Sequence, residues 1–348
     1  MVGLTILCMF KQFCDFRILL FFAKEGVKVN WKKRIIAVLV IGCVKLGLFH
    51  IINRIINHVA LNSNELKEAI DSCHYDWRFG RIYYEKTGQG KPLLLIHDLS
   101  VSSSSYEWKH VVKELSQTNT VFTLDLLGCG RSEKPNLTYT NFLYVQLISD
   151  FIKNVISSKV DVIATGASGA FTLAAASYEN NIINRIMLVN PKDFFSLAKI
   201  PTKWTKALRF VINTPIVGTF LYNTLVNVYT IRRKFGTSYF NRTGQAEKEM
   251  VAAYFKSSQL DKAHSKYLFS SLLSRYTSAN IVHNLKNITN SVFIIAGTGD
   301  PKNRLVADLY NNQLPSIEII DLINARVLPQ LELPEEFLEQ VHVLFEIS

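Results

Sequence analysis

Short apolar runs alternate with stretches of helical period along most of this 348-residue chain. From Trp77 onward, "GRIYYEKTG" and "GKPLLLIHD" read as two strands joined by a Gly-rich turn. "SYEWKHVVKEL" places apolar Trp108, Val111, Val112 and Leu115 on one face at helical spacing, and predicts a helix. "NTVFTLDLLGCGRSEKP" reads as a buried strand ending in a Gly-rich loop, and "NFLYVQLISDFIKNVI" as a strong helix. "VDVIATGASGAF" is a strand, a small-residue turn and a helix start, while "INRIMLVNP" and "NSVFIIAGTGDP" are further short strands ending in turn residues. Strands alternating with helices predict an α/β protein with a mostly parallel sheet and helices on both faces. Such sheets bind ligands at the carboxyl ends of their strands. Between residues 192 and 275 no strand alternation stands out, and "KALRFVI", "MVAAYF" and "YLFSSLL" predict helices.

The N-terminal pattern is different in kind. Ile35 to Ile52 is an apolar run broken only by Lys45 and the terminal-turn His50. As a helix it is about 27 Å long, close to the thickness of a bilayer core. A central Lys costs roughly 2.5–3.5 kcal/mol on the insertion scale, while each Ile, Leu, Val or Phe returns about 0.3–0.6 kcal/mol. Twelve such residues lie in the run, so insertion comes out ahead and residues 31–60 are expected to form a membrane anchor helix. An interfacial amphipathic helix is the competing reading, kept alive by Lys45, His50 and Arg54. Lys28, Lys32, Lys33 and Arg34 precede the run, which by the positive-inside rule puts the N-terminus in the cytoplasm and the large domain outside it. Residues 1–30 carry no assigned function, and translation is expected to begin near Val27 or Val29.

Charge refines this picture. The net charge is +11, with +7 in residues 1–60 and +10 in residues 192–275, leaving −6 for the rest. No zinc spacing, ribonucleoprotein-type aromatic run or arginine-rich stripe accompanies the basic segments, so nucleic acid is not expected as a partner. A basic, apolar segment suits anionic lipid head groups, and membrane lipid is the expected partner. Phe210 to Ile231 is uncharged and followed by Arg232, Arg233 and Lys234, but Pro215, Gly218 and several Asn and Thr make it a poor second span. The five cysteines lie in no ligand spacing, so neither a disulfide framework nor a metal is indicated and no cofactor is expected.

"LLLIHDLSVSSSSYEW", "TLDLLGCGRSEKP", "VDVIATGASGAF", "IIAGTGDP" and "LPQLELPEEF" together resemble, in order and spacing, the α/β-hydrolase superfamily. The resemblance covers about residues 77–191 and 276–348. It implies the α/β-hydrolase fold, with a core at 61–191 and 276–348 and a mobile helical cap at 192–275. It also implies a serine hydrolase acting on a small apolar, ester or acyl substrate.

That family places its nucleophile in G-x-S-x-G, on a strained strand-to-helix turn. Two registers are open here. In one, Ser168 is the nucleophile, with the backbone N–H groups of Leu99 and Gly169 as oxyanion donors. In the other, Gly166 stands where the serine should be. Side chains alternate with period two, so a two-residue shift leaves the strand faces unchanged and periodicity does not choose. Asp300 matches the family's triad carboxylate, with Asp193 a second candidate. Where the family carries its histidine, this chain has Val327, preceded by Arg326. His97, in the "HD" that replaces the family's HG, is expected to be structural, and His264 and His342 lie elsewhere. Without a base a serine hydroxyl is weakly nucleophilic. The sequence thus leaves two functions: a membrane-anchored serine hydrolase working through Ser168, or a degenerate member that binds a lipid, peptide or protein partner without turnover.

Overall fold

The computed structural model describes residues 31–66, 72–242, 244 and 246–345. The expectations for residues 1–30 lie outside these. Residues up to Leu48 and those from Phe49 onward form two separate units.

Helix α1 (Trp31–Leu61) begins in the first unit. Its side chains from Trp31 to Leu48 are almost all exposed, including Ile36, Leu39, Val44 and Leu48. Among the described residues it is the helix long and apolar enough to cross a bilayer, by length and composition.

The second unit is built on eight strands: β1 (Ser72–Trp77), β2 (Gly80–Thr87), β3 (Lys91–Ile96), β4 (Asn119–Leu124), β5 (Val160–Thr165), β6 (Ile183–Val189), β7 (Ser291–Gly297) and β8 (Glu318–Leu322). Their order is β1-β2-β4-β3-β5-β6-β7-β8. The first two ladders, β1 with β2 and β2 with β4, are antiparallel, and the other five are parallel. The run that read as a buried strand, β4, is buried except at Thr120, and every residue of β5 and the last four of β3 are buried too. Covering helices on both faces make this sequence of apolar runs soluble as a sheet. They include α2 (Asn141–Phe151), α3 (Ser168–Tyr178), α9 (Pro301–Gln313) and α10 (Pro334–Leu344).

Between β6 and β7 the chain inserts a helical region: α4 (Lys203–Asn213), α5 (Val217–Leu225), α6 (Val228–Lys234), α7 (Lys248–Ala263) and α8 (Ser265–Leu273). The uncharged run Phe210–Ile231 is divided among three of these. Thr214 and Pro215 end α4, and Asn227 caps α6 through its side chain. One expected element differs. "SYEWKHVVKEL" forms a 3₁₀ turn (Ser105–Trp108) and a short helical turn (Val112–Leu115) rather than one helix. Long-range bonds fix the first turn, because Asp125 accepts Ser105 N–H and Glu107 accepts Asp98 N–H. Of the apolar face that the period identified, Trp108, Val111 and Leu115 are nonetheless fully buried, and Val112 is half-buried.

The order reverses at β3, which lies between β4 and β5. Ile96 of β3 is level with Ala164 of β5, so the loops leaving these two strands emerge side by side. This switch point is where a doubly wound sheet exposes its crevice.

Candidate active site

Gly166 leaves β5 with φ +58°, a left-handed conformation that glycine adopts without a Cβ penalty. Its N–H donates to Val189 O of β6 at 2.9 Å, which fixes the turn against the sheet. Across from it, the loop after β3 directs Asp98 into the turn. Asp98 is buried, and its Oδ1 accepts the N–H of Ala167 at 2.8 Å. A Cβ on Gly166 would lie 2.2 Å from the same Oδ1 and 2.6 Å from Asp98 Cγ. The Asp98 carboxylate thus fills the space that a side chain at position 166 would need.

Ser168 is the first residue of α3 and is fully buried. Its hydroxyl donates to His97 O at 2.6 Å, joining the β3 loop to the helix. Gly169, one residue on, packs α3 on β6: a Cβ there would meet Leu188 at 3.0 Å. Leu99 is buried in the loop beyond Asp98. His97 is locked in place. Its Nε2 accepts Leu126 N–H at 3.0 Å, so the proton is on Nδ1, which donates to Asp98 O at 2.8 Å. Burial is the main influence lowering its pKa, so the ring stays neutral.

Behind Asp98, Glu107 Oε2 accepts Asp98 N–H at 3.1 Å. Burial, with the Asp98 charge adding to it, pushes this carboxyl up to about 8, so it is protonated at neutral pH. Tyr254 adjoins it closely enough to act on the carboxyl, yet neither Glu107 Oε1 nor the Tyr254 hydroxyl reaches a partner in hydrogen-bond geometry. Sequence reading passed over Glu107, since one acid in a helical stretch looks like a solvated charge.

Asp300 and Asp193 are both helix caps. Asp300 accepts Lys302 N–H at the start of α9, and Asp193 accepts Ser196 N–H at 2.8 Å. Val327 is half-buried, and its N–H donates to Tyr239 O of the inserted region at 3.1 Å. Arg326 before it spans two regions: Nε donates to Gly299 O at 3.2 Å and Nη1 to Thr237 O at 3.0 Å. Glu332 holds the same loop by accepting Arg326 N–H at 2.8 Å. Asn190, at the end of β6, closes the other side. It accepts Gly297 N–H and donates to the carbonyls of Arg326 and Val327.

The 235–240 segment therefore lies over the loop that carries Arg326 and Val327. Tyr239 packs edge-on against Phe235 at 5.3 Å, and Phe235 against Tyr254 at 4.9 Å. Burial, then the Asp98 and Glu107 carboxyls, raise the pKa of the Tyr239 phenol. The three cavities described lie elsewhere, and none is lined by Asp98, Gly166, Ser168, Asp300 or Val327. Among the described residues no three His, Cys, Asp or Glu side chains gather to hold a metal.

Residues 93–340 match the protein family described as "Alpha/beta hydrolase family". A 2-hydroxy-6-oxo-6-(2'-aminophenyl)hexa-2,4-dienoic acid hydrolase of Metapseudomonas resinovorans is 29% identical over 108 residues, which is 30% of this chain and 37% of that protein. A soluble epoxide hydrolase of a Corynebacterium strain is 28% identical over 110 residues, 32% of this chain and 38% of that protein. The chain thus spans little more than a third of the length of these curated relatives. Among solved structures, a bromoperoxidase from Bacillus anthracis superposes with a TM-score of 0.64 at 14% identity, covering 79% of this chain and 99% of that one. An epoxide hydrolase superposes at 0.63 and 22% identity, covering 79% and 98%. At these identities the superpositions concern the fold.

Proposed function

Because the chain belongs to the alpha/beta hydrolase family, we propose that it is a non-catalytic member, anchored by α1, that holds its cap against an anionic bilayer. The observation that carries this reading is Asp98. Taking Gly166 as the nucleophile position, the turn has the strained positive φ of such an elbow but no side chain to react. The N–H after a nucleophile serves as an oxyanion donor, and here that N–H, of Ala167, already binds the Asp98 carboxylate. A fixed carboxylate at this place repels the negative charge that acyl transfer must develop there. At the base position Val327 has no proton to exchange.

The competing reading, Ser168 as nucleophile with Leu99 and Gly169 as donors and Asp300 as the acid, has less support. The Ser168 hydroxyl is spent on His97 O, and the nearby His97 has both ring nitrogens engaged by backbone groups. Asp300 serves its own helix as a cap.

The cap supports contact with a lipid surface rather than an acyl ligand in the filled cleft. From Phe194 to Ala246 there are eight Lys and Arg and no Asp or Glu. On the outer face of α4, Trp204 is 86% and Phe210 74% exposed, beside exposed Lys203 and Lys206. Exposed aromatics among lysines suit a membrane interface. The full chain should resist labelling by a fluorophosphonate probe and show no turnover of short acyl esters. Labelling that disappears in Ser168→Ala would overturn this reading in favour of a serine hydrolase.

A further inference from the structure

The C-terminal part of α1, from Phe49 on, packs against the cap through a chain of buried amides. Asn53 Nδ2 donates to Ile216 O at 3.0 Å, Asn223 donates to Asn53 Oδ1 at 2.9 Å, and Gln259 donates to Asn223 Oδ1 at 3.0 Å. Asn57 closes the set by donating to Gln259 O at 2.6 Å. Phe49 stacks on Phe220 with ring centroids 4.1 Å apart. Beside this seam lies a cavity of about 390 Å³.

Its lining is one-sided in charge. Arg54 and His50 come from α1 and Lys262 from the end of α7, and no acidic residue lines it. Neither Arg54 nor Lys262 forms an ion pair among the described residues. The acid next in sequence to Lys262, Asp261, is instead paired with His264 at 3.1 Å. A further cation stands behind the wall. Lys266 is 5% exposed, and its Nζ donates to Thr214 O at 3.1 Å and to Thr219 Oγ1 at 3.0 Å. Thr219 lines the cavity, and because its oxygen accepts from Lys266 its own proton can be donated inward. Burial lowers the Lys266 pKa, and among the described residues Lys266 forms no ion pair. A buried cation without a counter-ion is costly unless an anion completes it. The backbone around the cavity is also strained: Ile216, Asp261, Lys262 and Ala263 have φ of 53°, 54°, 54° and 62°. Such outliers cluster at ligand sites.

We propose that this cavity binds the phosphate of an anionic lipid headgroup. The inference rests on reading α1 as a membrane anchor, since His50 lies in the last turn of the apolar run ending at Ile52 and Arg54 and Asn57 follow directly on it, where a spanning chain reaches the headgroup layer. Arg54 and Lys262 supply charge-assisted hydrogen bonds, and Thr219 the neutral donor.

The test uses the full chain in a neutral maltoside detergent, so it does not depend on insertion. Binding of dioctanoyl-phosphatidylglycerol is followed by thermal shift and titration, with inorganic phosphate as a parallel arm. The lipid should raise the melting temperature, and Arg54→Gln with Lys262→Gln should weaken its binding by about tenfold or more. A charge-matched control, Lys91→Gln with Lys302→Gln on the exposed core surface, should bind like the unaltered chain. Equal binding by the Arg54/Lys262 variant overturns the site. Protection by inorganic phosphate equal to that by the lipid assigns the cavity to free phosphate and overturns the headgroup. Release of the chain from membranes by alkaline carbonate would overturn the anchor separately, leaving the binding result to stand by itself.

Discussion

The Asp98 carboxylate lies 2.2 Å from where a Cβ on Gly166 would stand, and it holds the N–H of Ala167 at 2.8 Å. The two positions are complementary: one lacks a side chain and the other supplies one to the same space. Gly166→Ala should therefore be severely destabilising, through both the left-handed backbone and the collision. In an Asp98→Gly background only the backbone cost, about 1–2 kcal/mol, should remain. A double-mutant cycle by chemical denaturation should thus give a coupling of roughly 2 kcal/mol or more. Additive effects would mean that the loop after β3 moves aside freely.

Ser168 offers a contrasting test. Its hydroxyl makes one buried hydrogen bond, to His97 O, so Ser168→Ala should cost about 0.5–1.5 kcal/mol. The loss belongs to stability, measured as a shift in denaturation midpoint. Any residual ester hydrolysis by the preparation should be the same before and after the change.

Glu107 gives a pH dependence with a definite sign. Its folded pKa, about 8, lies above the ordinary carboxyl value of 4.5, so the folded state holds the proton more tightly than the unfolded chain. The stabilisation is complete below about pH 4.5 and is lost as pH rises toward and through 8. Glu107→Gln keeps an acceptor for Asp98 N–H and removes the titration. Its stability should therefore fall less than that of the unaltered chain between pH 5 and 8. Parallel stability curves across that range would show that the carboxyl is already ionised in the folded state.

The strands were readable because each is a short apolar run ended by turn residues, and parallel strands buried on both faces leave that trace. The cap helices were readable from period and from the lack of alternation. The turn at 166–168 was not, because two registers two residues apart put the same side chains on the same strand faces. The left-handed dihedral at Gly166 and its closeness to Asp98, which lies 68 positions earlier in the chain, leave no trace in the local pattern. Arg326 was visible only as a missing glycine. Its bonds to Gly299 and Thr237 join segments far apart in sequence, and no local pattern records them. The helix expected over "SYEWKHVVKEL" broke for the same reason, since Asp98 and Asp125 hold its first turn from outside.

Arg326 should act as a clamp on the cap. Its guanidinium joins Gly299 O after β7 to Thr237 O and, at 3.4 Å, to Phe240 O. Arg326→Ala leaves three carbonyls without this donor, and Lys, with one ammonium, does not reproduce the fork. Hydrogen exchange at residues 235–241 should speed up in both Arg326→Ala and Arg326→Lys, while β5 and β6 stay protected. Unchanged exchange in that segment would show that the aromatic packing of Phe235 and Tyr239 holds the cap by itself.

The contact proposed between the cap and a bilayer can be tested through one tryptophan. Trp77 and Trp108 are buried, whereas Trp31 and Trp204 are exposed, so a Trp31→Phe background leaves Trp204 as the reporter of the outer surface. Lys203 and Lys206 flank it on α4, and each cation near an anionic surface contributes about 1 kcal/mol, screened over roughly 8 Å at physiological salt. With the full chain in nanodiscs, brominated phosphatidylglycerol should quench Trp204, and added salt should relieve much of the quenching. Lys199, Lys203 and Lys206 changed together to Gln should reduce it without altering the melting temperature, because none of the three forms an ion pair among the described residues. Quenching of equal depth in brominated phosphatidylcholine would mean that apolar Trp204 and Phe210 set the contact and that the cap's charge has no part in it.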